Sequence, residues 1–171
     1  MTPARVLLLC AAVLGAGCGF KAEKIFASYS DIEVQEVARS LQCGTANSQP
    51  RVQLFAGPGS ARAWAATRTV ALPEVLAETP HVVVELGQRA SGGYGLAISR
   101  SAVLRGGLLI LRGTFISPAP GRVVTQALTS PCVLVQLPPG RYSAIEVQDP
   151  AGAVRISGPT AEVPAEKPAT E

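Results

Sequence analysis

Four cysteines, a single histidine and twelve acidic residues are the side chains from which this chain could build a reactive site. Catalysis needs groups of tunable pKa or nucleophilicity, and it needs them to converge. His81 follows Pro80 at the head of the apolar run His81-Val82-Val83-Val84-Glu85-Leu86. A histidine there is a structural or exposed residue before it is a base. A Ser-His-Asp triad would have to use it, and no serine sits in a Gly-x-Ser-x-Gly elbow. Glu85, Glu146 and Asp149 fall in separate strands or turns, without the local pairing of a glycosidase, and a solvated sheet face is expected for each. Gly57-Pro58-Gly59-Ser60 has the outline of a phosphate cradle, but it lacks the lysine and the glycine spacing, and Pro58 removes an amide. Isolated cysteines and one distant histidine lack metal-ligand spacing. These residues predict no enzyme, no metal and no cofactor.

One connection has the residue types of a binding loop. Gly87-Gln88-Arg89-Ala90-Ser91-Gly92-Gly93-Tyr94 lies between two apolar strand segments and must be exposed. Gly92-Gly93 permits positive φ and close backbone approach. On the plain reading it is a glycine-rich hairpin loop with Tyr94 in the core. On the functional reading Arg89, Ser91, Gly92, Gly93 and Tyr94 meet a partner, because binding residues concentrate on loops held by a rigid scaffold. A second polar group, Arg122, Thr125 and Gln126, falls in a short strand over Val123 to Leu128. Pro118 and Pro120 block pairing ahead of it, which suits an edge. Thr125 and Gln126 either satisfy neighbouring loop backbone or brace the contact loop against a ligand.

The elements that must hold these loops are mostly strands. A chain of 171 residues is one domain or at most two, and 47% hydrophobic content excludes wholesale disorder. Glycine (17) and proline (14) are too frequent for a helical bundle. A net charge of +3 without a basic block excludes a nucleic-acid footprint. Ile32 to Leu41 fits either period and is read as strand, since Gly44 to Pro50 stops it early. Val52-Gln53-Leu54 is a short strand, and Ser60 is placed as the cap of a helix over Ala61 to Arg68. Its Ala61, Trp64 and Ala65 share a face, with Trp64 as the anchor on a sheet. Strands follow from His81, Tyr94, Leu108, Val123, Cys132, Tyr142 and Ala153, separated by glycine and proline turns. The expectation is a mainly β fold: a small antiparallel β-sandwich or barrel-like domain with one short α-helix.

The first residues read as a targeting segment. Arg5 precedes the apolar run Val6 to Leu14, which is shorter than the ~20 residues of a spanning helix. Gly15-Ala16-Gly17-Cys18 then resembles a bacterial lipoprotein signal, with Cys18 as the lipidated residue. Gly15 stands where that pattern prefers leucine. Ordinary cleavage near Gly17, with Cys18 a spare thiol, is the alternative. A lipid anchor needs no further helix, and Gly19 after Cys18 favours the outer membrane, facing the periplasm. Of the remaining cysteines, Cys43 and Cys132 form one disulfide in an oxidising envelope or stay as two buried thiols. The organisation is then a signal peptide over 1–17, a tether over 18–31, a single β domain over 32–156 and a disordered tail over 157–171.

The two loop motifs carry a family resemblance. Residues Gly87 to Tyr94 resemble the Gly-x-[Arg/Lys]-Pro-Thr-Gly-Gly-Tyr segment of the PrcB-like family, named for a lipoprotein subunit of a bacterial surface protease complex. Pro118 to Pro131 resembles that family's Pro-x-Pro-Gly-x-x-Val-Thr-Gln-x-x-Thr-x-Pro. The similarity runs from about Val82 to Val147, with Ala90 in place of the family's proline and Ser91 in place of its threonine. It implies a β-rich, noncatalytic accessory domain that stabilises or assembles a secreted protease. The partner expected is therefore an envelope protein such as a protease, besides the membrane itself. The Ser91-Gly92-Gly93-Tyr94 turn also distantly resembles the wedge loop of chagasin-like cysteine-protease inhibitors, without the tryptophan that usually follows. Inhibition of a protease is the alternative function.

Overall fold

The structure, a computed structural model, describes residues 29–44, 46–68 and 70–159. The expected signal peptide, Cys18, the tether as far as residue 28 and the tail from residue 160 lie outside the described residues. The chain runs β1 (Tyr29–Glu33), β2 (Gln35–Ser40), β3 (Arg51–Phe55), α1 (Pro58–Ala66), β4 (His81–Glu85) and β5 (Gly95–Arg105). It continues with β6 (Leu108–Ile116), β7 (Cys132–Gln136), β8 (Ala144–Gln148) and β9 (Val154–Pro159). One sheet has the order β1-β5-β6-β8-β9 and the other β2-β7-β4-β3. The fold is mainly β and sandwich-like, as the strand spacing predicts, and the two sheets do not close into a barrel. One pair departs from the antiparallel expectation. β6 and β8 are parallel, because the chain leaves the first sheet to build β7 in the second before it returns.

Layering explains the apolar texture of the sequence. Val82 and Val84 of β4 and Val133 and Val135 of β7 face the first sheet, where they meet Leu96, Leu109, Leu111, Ile145 and Val147. Val83 and Leu134 point the other way, into a second core with Phe55, Ala61, Trp64 and Ala65. β4 and β7 are thus covered on both faces, so their valine runs need not alternate. β8 has one face in the core, and it alternates buried with half-buried residues. Trp64 anchors α1 as expected, its ring 5.9 Å from that of Phe55.

Several boundaries differ from the sequence reading. The run from Ile32 is strand, but it is divided at Val34 between the two sheets. β1 starts at Tyr29, inside the expected tether, because Tyr29 to Ile32 pair with Arg105 to Ala102. β9 extends to Pro159, past the expected start of the tail, through its pairing with β8. α1 begins at Pro58 with Gly57 as an extended N-cap, so Ser60 is not its cap. Proline's fixed φ and missing amide suit the first helical position. Residues 123–128 form no strand. They lie in the crossing from β6 to β7 and pair with no strand. Among the described residues no helix is long and apolar enough to cross a membrane.

Cys43 and Cys132 are joined in a disulfide across a sequence separation of 89, and both are buried. Closing a loop of that size lowers the entropy of the unfolded chain, a stabilisation of roughly 4 kcal/mol. His81 is structural, fully buried between Phe55 of β3 and Gln136 of β7. Burial pushes its pKa below the ordinary value, against weaker pulls from the Thr79 backbone and the Glu78 charge. The folded state therefore favours the neutral ring, whereas the unfolded chain binds a proton near pH 6.5. Stability is complete above that pH and falls as the pH drops through it. The urea midpoint should decline from about pH 7.5 to about pH 5.5, and His81→Gln should flatten that decline.

Candidate functional site

The glycine-rich segment leaves the end of β4 at a crowded point. Leu86 donates its amide to Pro131 O at 2.9 Å, and Gln88 donates to Asn47 O at 2.8 Å. Between them Gly87 adopts φ 78° with the Ser48 carbonyl against it. A Cβ at Gly87 would stand 2.5 Å from Ser48 O, so only glycine lets the 46–49 segment pass.

From there the two motif segments are joined by their backbones. Arg89 N donates to Thr129 O at 2.7 Å and Thr129 N returns a bond to Arg89 O at 3.0 Å. Thr129 Oγ1 donates to Ser91 O at 2.9 Å, and Gly92 N donates to Thr125 O at 2.8 Å. Gly93, at φ 84°, lies against Val124 and Pro118, where a Cβ would meet carbons at 3.2 and 3.3 Å. The third wall is the segment around the disulfide. Gln42 Nε2 donates to Leu128 O at 2.9 Å, and Gly44 N donates to Ser130 Oγ at 3.0 Å. A pocket of about 180 Å³ lies among Gln42, Gly44, Ala46, Gln88 and residues 128–130.

The expected site residues divide by role. Arg89 donates to Leu86 O at 2.5 Å, and its guanidinium lies 5.8 Å from the centre of the Tyr94 ring. Both are half-buried, so Tyr94 is neither wholly in the core nor free. Gly92 comes together with Thr125 through that residue's carbonyl, whereas the Ser91 carbonyl accepts from the Thr129 hydroxyl. Gln126 instead turns its amide to Val124 O of its own segment. Sequence reading missed Gln42, Thr129 and Ser130, which supply bonds of the interlock. Thr129 and Ser130 stand inside the second motif, beside Pro131, and that was their only signal. It also misplaced Val123 and Leu128, assigned to a strand but 96% and 60% exposed.

Nearby charges are structural. Glu85 was expected on a solvated face, but it is wholly buried, hydrogen-bonded by Arg51 and 3.6 Å from Arg68 Nε. It lies opposite Cys132, under the disulfide segment, where no solvated face exists. Asp149 accepts the amides of Ala151 and Ala153 at 3.0 Å each, which with Arg155 holds its carboxyl below the usual range. Glu146 accepts from Gln148 Nε2 at 3.1 Å. Among the described residues no three His, Cys, Asp or Glu side chains are grouped as a metal site requires.

Fold and site together define a two-sheet β domain that presents interlocked surface loops at one pole. Residues 81–138 match the family model described as PrcB C-terminal, a span that holds β4 to β7 and both loop motifs. Over that stretch the chain is similar to that family, and the match ends at Pro138, before Val147. No curated protein and no solved structure matches the chain significantly.

The interlock makes a stability prediction. Gly87→Ala should lower unfolding free energy by roughly 2–3 kcal/mol, from left-handed strain plus the Ser48 clash. Gly121→Ala, also at positive φ but in open space, should cost about 1 kcal/mol. Equal losses in urea titrations would show that the approach of Ser48 to Gly87 is unimportant.

Proposed function

We propose that this chain is a noncatalytic accessory subunit of the bacterial envelope that binds, and stabilises or assembles, another envelope protein, a protease. The PrcB C-terminal match is consistent with a protease-complex-associated subunit. The observation that carries the contact assignment is the backbone interlock of residues 86–94 with 118–131. It turns two long loops into one ordered platform, which lowers the entropy lost on binding. Val123, Leu128, Arg122 and Gln126 stand exposed on the second loop, beside the exposed Gly93. Apolar side chains among polar ones suit a protein partner.

The direction of the chain supports an anchored subunit. Tyr29 pairs with Arg105, and Pro159 with Ala144, at one end of the five-stranded sheet. Gly95, which follows the first motif loop, and Ile116, which precedes the second, pair at the opposite end. β5 spans the difference, roughly 30 Å. Tyr29, the first described residue, thus lies at the pole away from the loops, which supports the reading of a lipid on Cys18 with the loops facing the periplasm from the outer membrane.

Affinity capture from detergent-solubilised membranes tests both parts. Arg89→Glu with Tyr94→Ala should reduce the recovered partner by about tenfold or more while the circular dichroism stays unchanged. A partner retained at the wild-type level would sink the loop assignment. Cys18→Ser should abolish fatty-acid labelling and move the chain from the membrane pellet to the soluble fraction. A pellet-bound variant would end the lipid-anchor reading.

A further inference from the structure

The five-stranded sheet has an incomplete ladder. β6 runs to Ile116, but β8 pairs only with Leu108 to Arg112 before the chain turns away at Asp149. Gly113 to Ile116 pair with β5 on one side and with no strand on the other. Alternate residues of an antiparallel strand point both backbone groups to the same side. Half of this segment's amides and carbonyls therefore face away from β5, and among the described residues no loop hydrogen bond takes them up. An interior strand end left open in this way is a template for another extended chain.

A groove runs across β5 and β6 next to the first residues of that edge. It has a volume of about 640 Å³ and is lined by Ala97 to Ser99, Arg112 to Thr114 and the turn from Gln148 to Gly152. Asp149 is the acid there, and it is committed to Arg155, at 3.3 Å, and to its own turn. Arg112 is exposed, and among the described residues it makes no hydrogen bond or ion pair. The surrounding sequence sharpens the sign. Between Glu85 and Glu146 the ionisable charges are Arg89, Arg100, Arg105, Arg112, Arg122 and Arg141, with no acid and no lysine. A free guanidinium takes a carboxylate, which it binds in bidentate fashion.

We propose that the open Gly113–Ile116 edge takes an extended, carboxylate-bearing segment of a partner protein as an added strand, with Arg112 pairing to the carboxylate. The backbone ladder supplies affinity without regard to sequence, and Arg112 supplies the preference. This edge is distinct from the 87–94 loop, so either assignment can fail without the other.

Amide-resolved NMR of the isotope-labelled full chain tests it. The probe is a capped peptide of alternating valine and threonine with one central glutamate. We expect shifts at Gly113–Ile116 and at Gln148–Gly152, and binding lost when alternate peptide amides are N-methylated. Arg112→Glu should weaken binding about tenfold or more and should favour the same peptide with lysine in place of glutamate. An absence of shifts at Gly113–Ile116 at about millimolar peptide overturns the proposal. So does binding that ignores peptide charge. Peptide-independent shifts of these amides that grow with protein concentration would assign the edge to a second copy of this chain, and also overturn it.

Discussion

A carboxylate with no exposed surface, Glu85, closes the end of β4, opposite Arg51 of β3 and Cys132 of β7. A buried charge is tolerated only when opposite charge and hydrogen bonds come with it, and removing a partner then costs far more than the pair contributes. Arg51 hydrogen-bonds it from the neighbouring strand, and Arg68 reaches it from just beyond α1. One charge thereby ties a central strand, an edge strand and the helical layer to the same point. The disulfide lies beside it and fastens residue 43 to β7.

The loop pole depends on that anchorage. The bond from Leu86 to Pro131 follows Glu85 by a single residue, and the Ser48 contact that requires glycine at position 87 comes next. The base of the 87–94 loop is thus placed by an ion cluster and a covalent link outside the loop and by a steric fit at its first residue, Gly87. Beyond the base, backbone hydrogen bonds from Arg89, Gly92 and Thr129 hold the two motif segments together. Side chains at the surface are left free to vary without disturbing the frame. That division suits a binding module, where the scaffold sets position and the exposed residues set the partner.

The incomplete ladder of the first sheet has the same origin. The chain must change sheets between β6 and β8, and it spends residues 117–131 on the crossing and the loop platform. β8 returns parallel to β6 and is too short to cover the Gly113–Ile116 end of that strand. The Gly106-Gly107 turn, by contrast, closes β5 on β6 with both glycines at positive φ, so the opposite end of the pair is complete.

Local chemistry made much of this legible in advance. Valine runs, glycine and proline punctuation, and the alanine-rich helix determined the strands, the turns and the face of Trp64, because each depends on neighbours in sequence. The two loop motifs were legible as motifs, and the cysteine count left a disulfide between Cys43 and Cys132 as one of two outcomes. What pairs with what was decided only by the tertiary structure. The division of one strand at Val34, the parallel β6–β8 pair, the burial of Glu85 and the loss of the expected 123–128 strand all depend on which edge is within reach. That is a property of contacts distant in sequence, which no local propensity encodes.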